Sequence, residues 1–222
     1  ALAQIAVLGS SVAIVMGHDL NGPQAYWISL AFTMVGAALF SLTRLKNNRV
    51  PHEAIIGITY VVSAALLILV LSRSGEGDEH IKEALVGNIL LVGKPELFRL
   101  TVIYIILGVI HFFCRKYFFM ISRDPKAAFI QGVNVRGWDF LFYLTFGVVV
   151  TNSVRIAGVL LVFSYLVVPS VCAMFLANGL KSRLLIGWII GLAASVLGMA
   201  FSYYLDFPTG ASVVCMLGLL FV

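Results

Sequence analysis

The sequence predicts an all-α polytopic membrane protein, and three observations carry that prediction. Of its 222 residues, 61% are hydrophobic and only 11% charged, with a mean hydropathy of +1.03. Soluble domains run near about 45–50% apolar and about 25% charged. The apolar residues gather in runs of roughly 20, the length that crosses a bilayer core. The charged residues sit between those runs and segregate by sign from one loop to the next.

The spans fall at roughly 1–17, 24–43, 53–72, 97–119, 138–153, 156–177, 184–204 and 209–222, about eight in all. The sequence starts without Met and stops inside the apolar run Ser212 to Val222. It is therefore expected to be a fragment whose first and last spans are clipped, forming one transmembrane domain over residues 1–222. The fifth span is short, because Thr151-Asn152-Ser153-Val154-Arg155 interrupts a longer apolar run. That polar stretch reads as a surface turn or as a broken helix facing a cavity. Lipid would leave its backbone and Arg155 unsatisfied. Gly187, Gly191 and Ser195 recur every fourth residue, as do Thr33, Ala37 and Ser41. Small residues at that interval let helix backbones approach closely in lipid, so they report packing rather than chemistry.

Loop charges set the orientation. Arg44, Lys46, Arg49, Arg115, Lys116, Arg123, Lys126, Arg136, Lys181 and Arg183 make ten of the 15 basic residues, all on one alternating side. The other side carries Asp19, Glu76, Asp78, Glu79, Glu83, Glu96 and Asp206, seven of the ten acidic residues. Lys and Arg mark the cytoplasmic face, which makes the stretch 76–83 external. The net charge of +5 lies in loops rather than along one polar face, so it does not argue for nucleic acid. Cys114, Cys172 and Cys215 lie far apart in apolar runs, with neither zinc-site nor disulfide spacing.

On the basic side, between two long apolar runs, lies Ser122 to Gly132. Asp124 suits a helix N-cap, Pro125 the first turn, and Gly132 the end. The segment, with Ala128 at its centre, predicts an isolated helix of about two turns, too short to be stable without its flanking spans. It reads either as a helix presented to a soluble partner or as a solvated loop with a helical kink.

Catalytic motifs are missing. Neither a His-Glu-x-x-His zinc helix nor a Gly-x-Ser-x-Gly nucleophile turn occurs. Gly87 to Gly93-Lys94-Pro95 imitates a phosphate loop, but its glycine spacing is one residue too long and Pro95 stands where Ser or Thr binds magnesium. No enzyme is expected in this chain, and any ATP hydrolysis belongs to another subunit. Asp206, in Ser202-Tyr203-Tyr204-Leu205-Asp206-Phe207-Pro208-Thr209-Gly210-Ala211, is either an oxygen ligand for a cation or a plain turn residue before Pro. His111 reads as a packed, hydrogen-bonded core histidine. His18 with Asp19, and Asp78 with Glu79 and His80, read as solvated external charges or as cation collectors.

Four stretches together resemble the permease subunit of an ATP-binding-cassette importer of the zinc, manganese and iron uptake family. Ser122 to Gly132 is similar to that family's Asp-Pro coupling segment. Ser153 to Val162, continuing through Val167-Val168-Pro169, is similar to its Ser-Leu-Arg-Ala-Val-Gly-Leu-Leu-Leu run ending in Val-Pro. Ser202 to Ala211 resembles its Ser-Tyr-x-x-Asp-x-Pro-x-Gly-Ala signature, and Leu85-Val86-Gly87-Asn88-Ile89-Leu90 its Leu-Phe-Gly-Ser-Ile-Leu. The resemblance runs in order along nearly the whole chain.

The resemblance implies a multi-pass permease of the bacterial plasma membrane, working as a dimer with a second copy of itself. It implies a cytoplasmic ATP-binding subunit docked on the helix of Asp124, Pro125, Ala128 and Gly132, and an external metal-binding protein that delivers the cargo. A divalent metal ion would pass as transported substrate, with no permanently bound cofactor. Intramembrane metal ligands would include Asp206 and a residue of the first span. There, family members carry Asp-Ala-Leu-Ser-His-x-x-Leu-Pro-Gly, whereas this chain has Gln4 for the histidine and Leu8 for the proline. Gln4 offers a carbonyl oxygen but no imidazole, which suits a harder ion than zinc. The rival class is an ion-coupled secondary transporter, which would show broken helices at matching positions in both halves. An intramembrane enzyme would need a paired nucleophile and base, and the sequence has none.

Overall fold

The structure, a computed structural model, describes residues 1–19, 22–43, 52–72, 84–87, 89 and 92–221, with the side chains of His52 and Glu53 excepted. Arg44, Lys46, Arg49, the acidic stretch 76–83 with Asp78, Glu79 and His80, and Asn88 and Leu90 lie outside the described residues. The described elements are helical: α1 (Leu2–Val15), α2 (Pro23–Thr43), α3 (His52–Leu71), α4 (Lys94–Arg123), α5 (Pro125–Ile130), α6 (Val135–Leu176), α7 (Leu180–Leu205) and α8 (Thr209–Phe221). Helices are the expected solution for apolar runs in lipid, because every backbone group finds its partner inside the segment. Hydroxyls follow the same logic. Ser11, Thr59, Thr101 and Ser170 each donate to the carbonyl four residues earlier, which hides a polar group in an apolar setting.

Five helices, α2, α3, α4, α6 and α7, are long and apolar enough to cross a membrane. The chain is thus a multi-pass, all-α membrane protein, but the described helices do not support about eight crossings. The discrepancy has two sources. α1 and α8 are 14 and 13 residues long, short of the roughly 20 that a crossing needs. Two expected spans are also joined, since Thr151 to Arg155 stay helical inside the 42-residue α6. The helical geometry fails instead at Gly158, with φ 74° and ψ 161°.

The chain forms two compact units, Ala1–Gly77 with Gly93–Asn152 and Asp78–Val92 with Ser153–Val222. In the first, α1 lies antiparallel on α2. A Cβ on Gly9 would come within 2.8 Å of Ser29 Cα, and Gly36 faces Ile5 and Leu2 at the other end. Ser29 Oγ donates to Ala6 O at 2.6 Å, tying the two backbones. α2 also runs antiparallel along the first part of α6: Tyr26 meets Asn152, Thr33 meets Thr151, and Ser41 Oγ donates to Arg136 O. The Thr33, Ala37, Ser41 stripe is buried here, and a Cβ on Gly147 would lie 2.8 Å from Thr33 Cγ2.

In the second unit, α7 and α8 form an antiparallel hairpin around Leu161, Ala194, Val213 and Leu217. Gly198 allows it, since a Cβ there would lie 2.5 Å from Val213 Cα. The Gly187, Gly191, Ser195 stripe packs against α6, with Gly187 toward Pro169, Gly191 toward the Tyr165 ring, and Ser195 hydrogen-bonded to Tyr165 Oη. Arg183 Nε donates to Ala177 O at 2.8 Å and satisfies a carbonyl at the end of α6.

Candidate functional site

Within the Ser122 to Gly132 insert, Pro125–Ile130 fold as a helix, α5, fixed at both ends by its own sequence. Asp124 Oδ1 accepts from the amides of Lys126 and Ala127, both at 3.0 Å, satisfying two donors that a helix start leaves free. Pro125 occupies the first turn, where its missing N–H costs nothing. At the other end Gly132 takes φ +79°. Its N–H donates to Phe129 O at 3.0 Å, and Val133 N–H reaches Ala128 O at 3.1 Å, the paired bonds of a Schellman ending.

Tertiary packing supplies what six residues cannot. Ala128 is fully buried against Ile121 of α4 and Val135 of α6, with Met120, Val133 and Trp138 around them. The outer face carries exposed Lys126 together with two large apolar side chains, Phe129 at 67% and Ile130 at 83% exposed. A short helix is thus held by one small residue while two large apolar ones point outward.

The Ser202–Ala211 stretch forms the α7–α8 turn. Asp206 is the residue that leaves the helix, in the left-handed conformation with φ 54° and ψ 39°. It is the one non-glycine with positive φ among the described residues, a conformation that Asp tolerates better than most. Buried Ser202 braces the turn, donating to Phe207 O at 2.6 Å with Thr209 Oγ1 at 3.0 Å. The Asp206 side chain is exposed beyond this brace. Turn residue and accessible carboxylate therefore coincide in one side chain. Gln4 is 3% exposed on α1, in the first unit.

Three of the four family-like stretches meet in the second unit, around glycines. Gly87 has φ +65° and faces Gly158, where a Cβ on either would fall 2.3–2.7 Å from the other's backbone segment. Gly210 closes on the same strand of chain, with its Cβ position 2.6 Å from Val86 O. The segment Leu85–Gly87 is thus pressed between the α6 break and the start of α8. Sequence reasoning placed the break at the polar residues instead. The available signal was Gly158 itself, a glycine within an apolar run.

His111 is a core histidine. Nδ1 lies 3.0 Å from Leu107 O and Nε2 3.2 Å from Thr145 Oγ1, and the Phe118 and Phe142 rings flank it. Among the described residues no three His, Cys, Asp or Glu side chains gather as a metal cluster. Asp206 offers carboxylate oxygens and Gln4 one amide oxygen.

Residues 1–222 match the ABC 3 transport family. The chain is 25% identical to a probable iron transport system membrane protein of Haemophilus influenzae, over 80% of this chain and 65% of that protein. It is 24% identical to the manganese transport system membrane protein MntC of Listeria innocua, over 97% of this chain and 82% of that one. Among solved structures, PsaBC from Streptococcus pneumoniae in complex with Fab shares the fold with a TM-score of 0.76 at 23% identity, covering 99% of this chain and 77% of that chain.

Proposed function

The chain belongs to the ABC 3 transport family, and from that premise we propose that it is the membrane-spanning subunit of an ATP-driven importer of divalent metal ions. Two copies would line a path along their shared axis. A cytoplasmic ATP-binding subunit would dock on α5 of each copy, and an external metal-binding protein would deliver the ion. The metal passes unchanged, so the chain catalyses no reaction and ATP is hydrolysed by its partner. In the membrane, about eight crossings would count α1, α8 and the two parts of α6 on either side of Gly158, each part a run near the roughly 20 residues of a span.

The observation that carries this reading is α5. Its capping and buried Ala128 hold it rigidly, while exposed Phe129 and Ile130 offer a soluble partner an apolar anchor of the kind that dominates interfaces. Closing of the ATPases would push on α5 and, through its packing on α4 and α6, switch the path between inward and outward access. Asp206 would give the arriving cation a carboxylate at the external end of α7. Gln4, by side-chain type, offers a passing ion a carbonyl oxygen rather than an imidazole, favouring manganese or ferrous iron over zinc, in keeping with the manganese and iron transport named for the relatives.

The test is the Ala128→Arg variant, together with Ile130→Asp. Arginine does not fit the closed socket, so uptake uncouples from ATP hydrolysis while the protein still inserts. Ile130→Asp leaves the socket untouched and loses the co-purifying ATPase. If both variants transport metal normally with the ATPase attached, α5 is not the ATPase contact. Metal accumulation driven by an ion gradient without any ATPase would establish the secondary-transporter reading instead.

A further inference from the structure

The first unit contains a cavity of about 330 Å³ between α4 and α6, within the roughly 300–1,000 Å³ range of small-molecule pockets. Its wall includes His111, Arg115, Phe118 and Ser122 from α4, and Asp139 and Phe142 from α6. Ile121, which also packs on Ala128 of α5, lines the cavity as well, and none of the lining residues is among the oxygen donors discussed above.

Its level in the membrane follows from the sequence of α4. The charged residues of that helix are Lys94, Glu96 and Arg99 at one end and Arg115, Lys116 and Arg123 at the other, with none from 100 to 114. The cavity runs from residue 111 to residue 122, so it straddles the passage from hydrocarbon to headgroups. Tyr117 and Trp138 stack beside it with centroids 4.4 Å apart, and such aromatic pairs gather at membrane interfaces. Phe112, Phe113 and Phe119 are 59%, 77% and 49% exposed on the same stretch of α4, a surface for acyl chains.

The chemistry of the wall narrows the ligand. Arg115, steadied over the Phe112 ring at 4.5 Å, carries the fork that recognises phosphate, and Ser122 adds a hydroxyl. A basic pocket alone would select an anionic lipid. Here Asp139, 3% exposed, places a carboxylate in the same wall and opposes a net negative headgroup. A carboxylate accepts at about four lone-pair sites, so it can take an ammonium in addition to its other partner. Phe118 and Phe142 complete the wall with apolar surface. His111 is already engaged by Leu107 O and Thr145 Oγ1, so recognition of the ligand falls to Arg115, Ser122 and Asp139.

We infer that this cavity holds the headgroup of a zwitterionic amino-phospholipid, with phosphate on Arg115 and Ser122 and the primary ammonium on Asp139. The purified full chain is incubated with equimolar phosphatidylethanolamine and phosphatidylglycerol, and retained lipid is read by native mass spectrometry. The ethanolamine lipid is expected on the protein in about tenfold preference, the ratio that corresponds to about 1.4 kcal/mol. Arg115→Gln, at an exposed position that does not threaten folding, removes that retention. Asp139→Asn retains lipid but loses the preference. Equal or greater retention of phosphatidylglycerol by the wild type overturns the inference, as does unchanged retention by Arg115→Gln. Soluble glycerophosphoethanolamine is a further arm. If it displaces the lipid at equal concentration, the site binds a free phosphoamine and the lipid assignment falls.

Discussion

Replacing Gly158 by alanine tests the α6 break most directly. The residue sits at φ 74° and ψ 161°, a region that is essentially glycine-only and costs an L-residue about 1–3 kcal/mol. The added Cβ would also fall 2.5 Å from Leu85 O, 2.5 Å from Val86 C and 2.6 Å from Gly87 N. These are backbone atoms, so no side chain can swing aside, and the Leu85–Gly87 segment must move. Overpacking of that kind costs roughly 1–3 kcal/mol, which brings the total to roughly 2–6 kcal/mol. For a chain of this size each kcal/mol lowers the melting point by about 2–4 °C. The assay is the fraction of monodisperse protein in size-exclusion chromatography after heating in detergent. Gly57→Ala and Gly108→Ala serve as controls, because a Cβ at either meets nothing within 4 Å and a mid-helix alanine gains about 0.5–1 kcal/mol over glycine. Gly87→Ala should lose stability like Gly158→Ala, and the double variant should lose less than both losses added, since one displacement relieves both clashes. If Gly158→Ala melts with Gly108→Ala, the contact with Gly87 does not hold the break.

Asp206→Asn keeps the left-handed turn and so keeps expression and melting temperature, while uptake at limiting metal falls sharply; wild-type uptake would leave Asp206 a turn residue alone. Asp206→Val, by contrast, places a β-branched residue at positive φ and should cost about 1–2 kcal/mol of stability, read in the same heating assay. Asp124→Ala removes the carboxylate oxygen that accepts from two amides at the start of α5, a local cost of about 1 kcal/mol. ATPase co-purification should weaken while the spans stay inserted, and unchanged binding would show that packing alone fixes the helix. A single cysteine at exposed Gln131, in a background lacking Cys114, Cys172 and Cys215, should be labelled from the cytoplasm, and one at exposed Phe207 from outside. The reverse pattern would overturn the orientation and the docking of an ATPase on α5.

What could be read in the sequence was local or periodic. Capping depends on residues within a few positions, so Asp124, Pro125 and Gly132 announced α5 and its limits. The two three-residue stripes, spaced by four, announced their packed faces because helix geometry alone puts such residues on one side. The α6 break was not legible, since it depends on a distant segment. Thr151 and Asn152 remain helical because their polar groups have partners: Thr151 meets Thr33, and Asn152 Nδ2 donates to Val148 O at 2.8 Å and to Tyr26 Oη. Gly158 breaks the helix where Gly87, 71 positions earlier in the chain, comes against it. Gln4 was legible as a polar residue in an apolar helix, and its burial on α1 depends on packing that the sequence does not display.

The junction of α4 and α5 has a mechanical consequence. Asp124 is at once the last cap of α4, through its N–H to Met120 O at 3.2 Å, and the N-cap of α5. No linker separates the two helices, so the joint between them has only the two backbone torsions of one residue. The carboxylate resists turning about that joint by gripping the first amides of α5, and Ala128 resists it from the far side. A displacement applied at Phe129 or Ile130 therefore meets no slack that could absorb it. It arrives at the end of a 30-residue helix as a tilt or a shift of the whole rod, the behaviour of a bell crank rather than a tether.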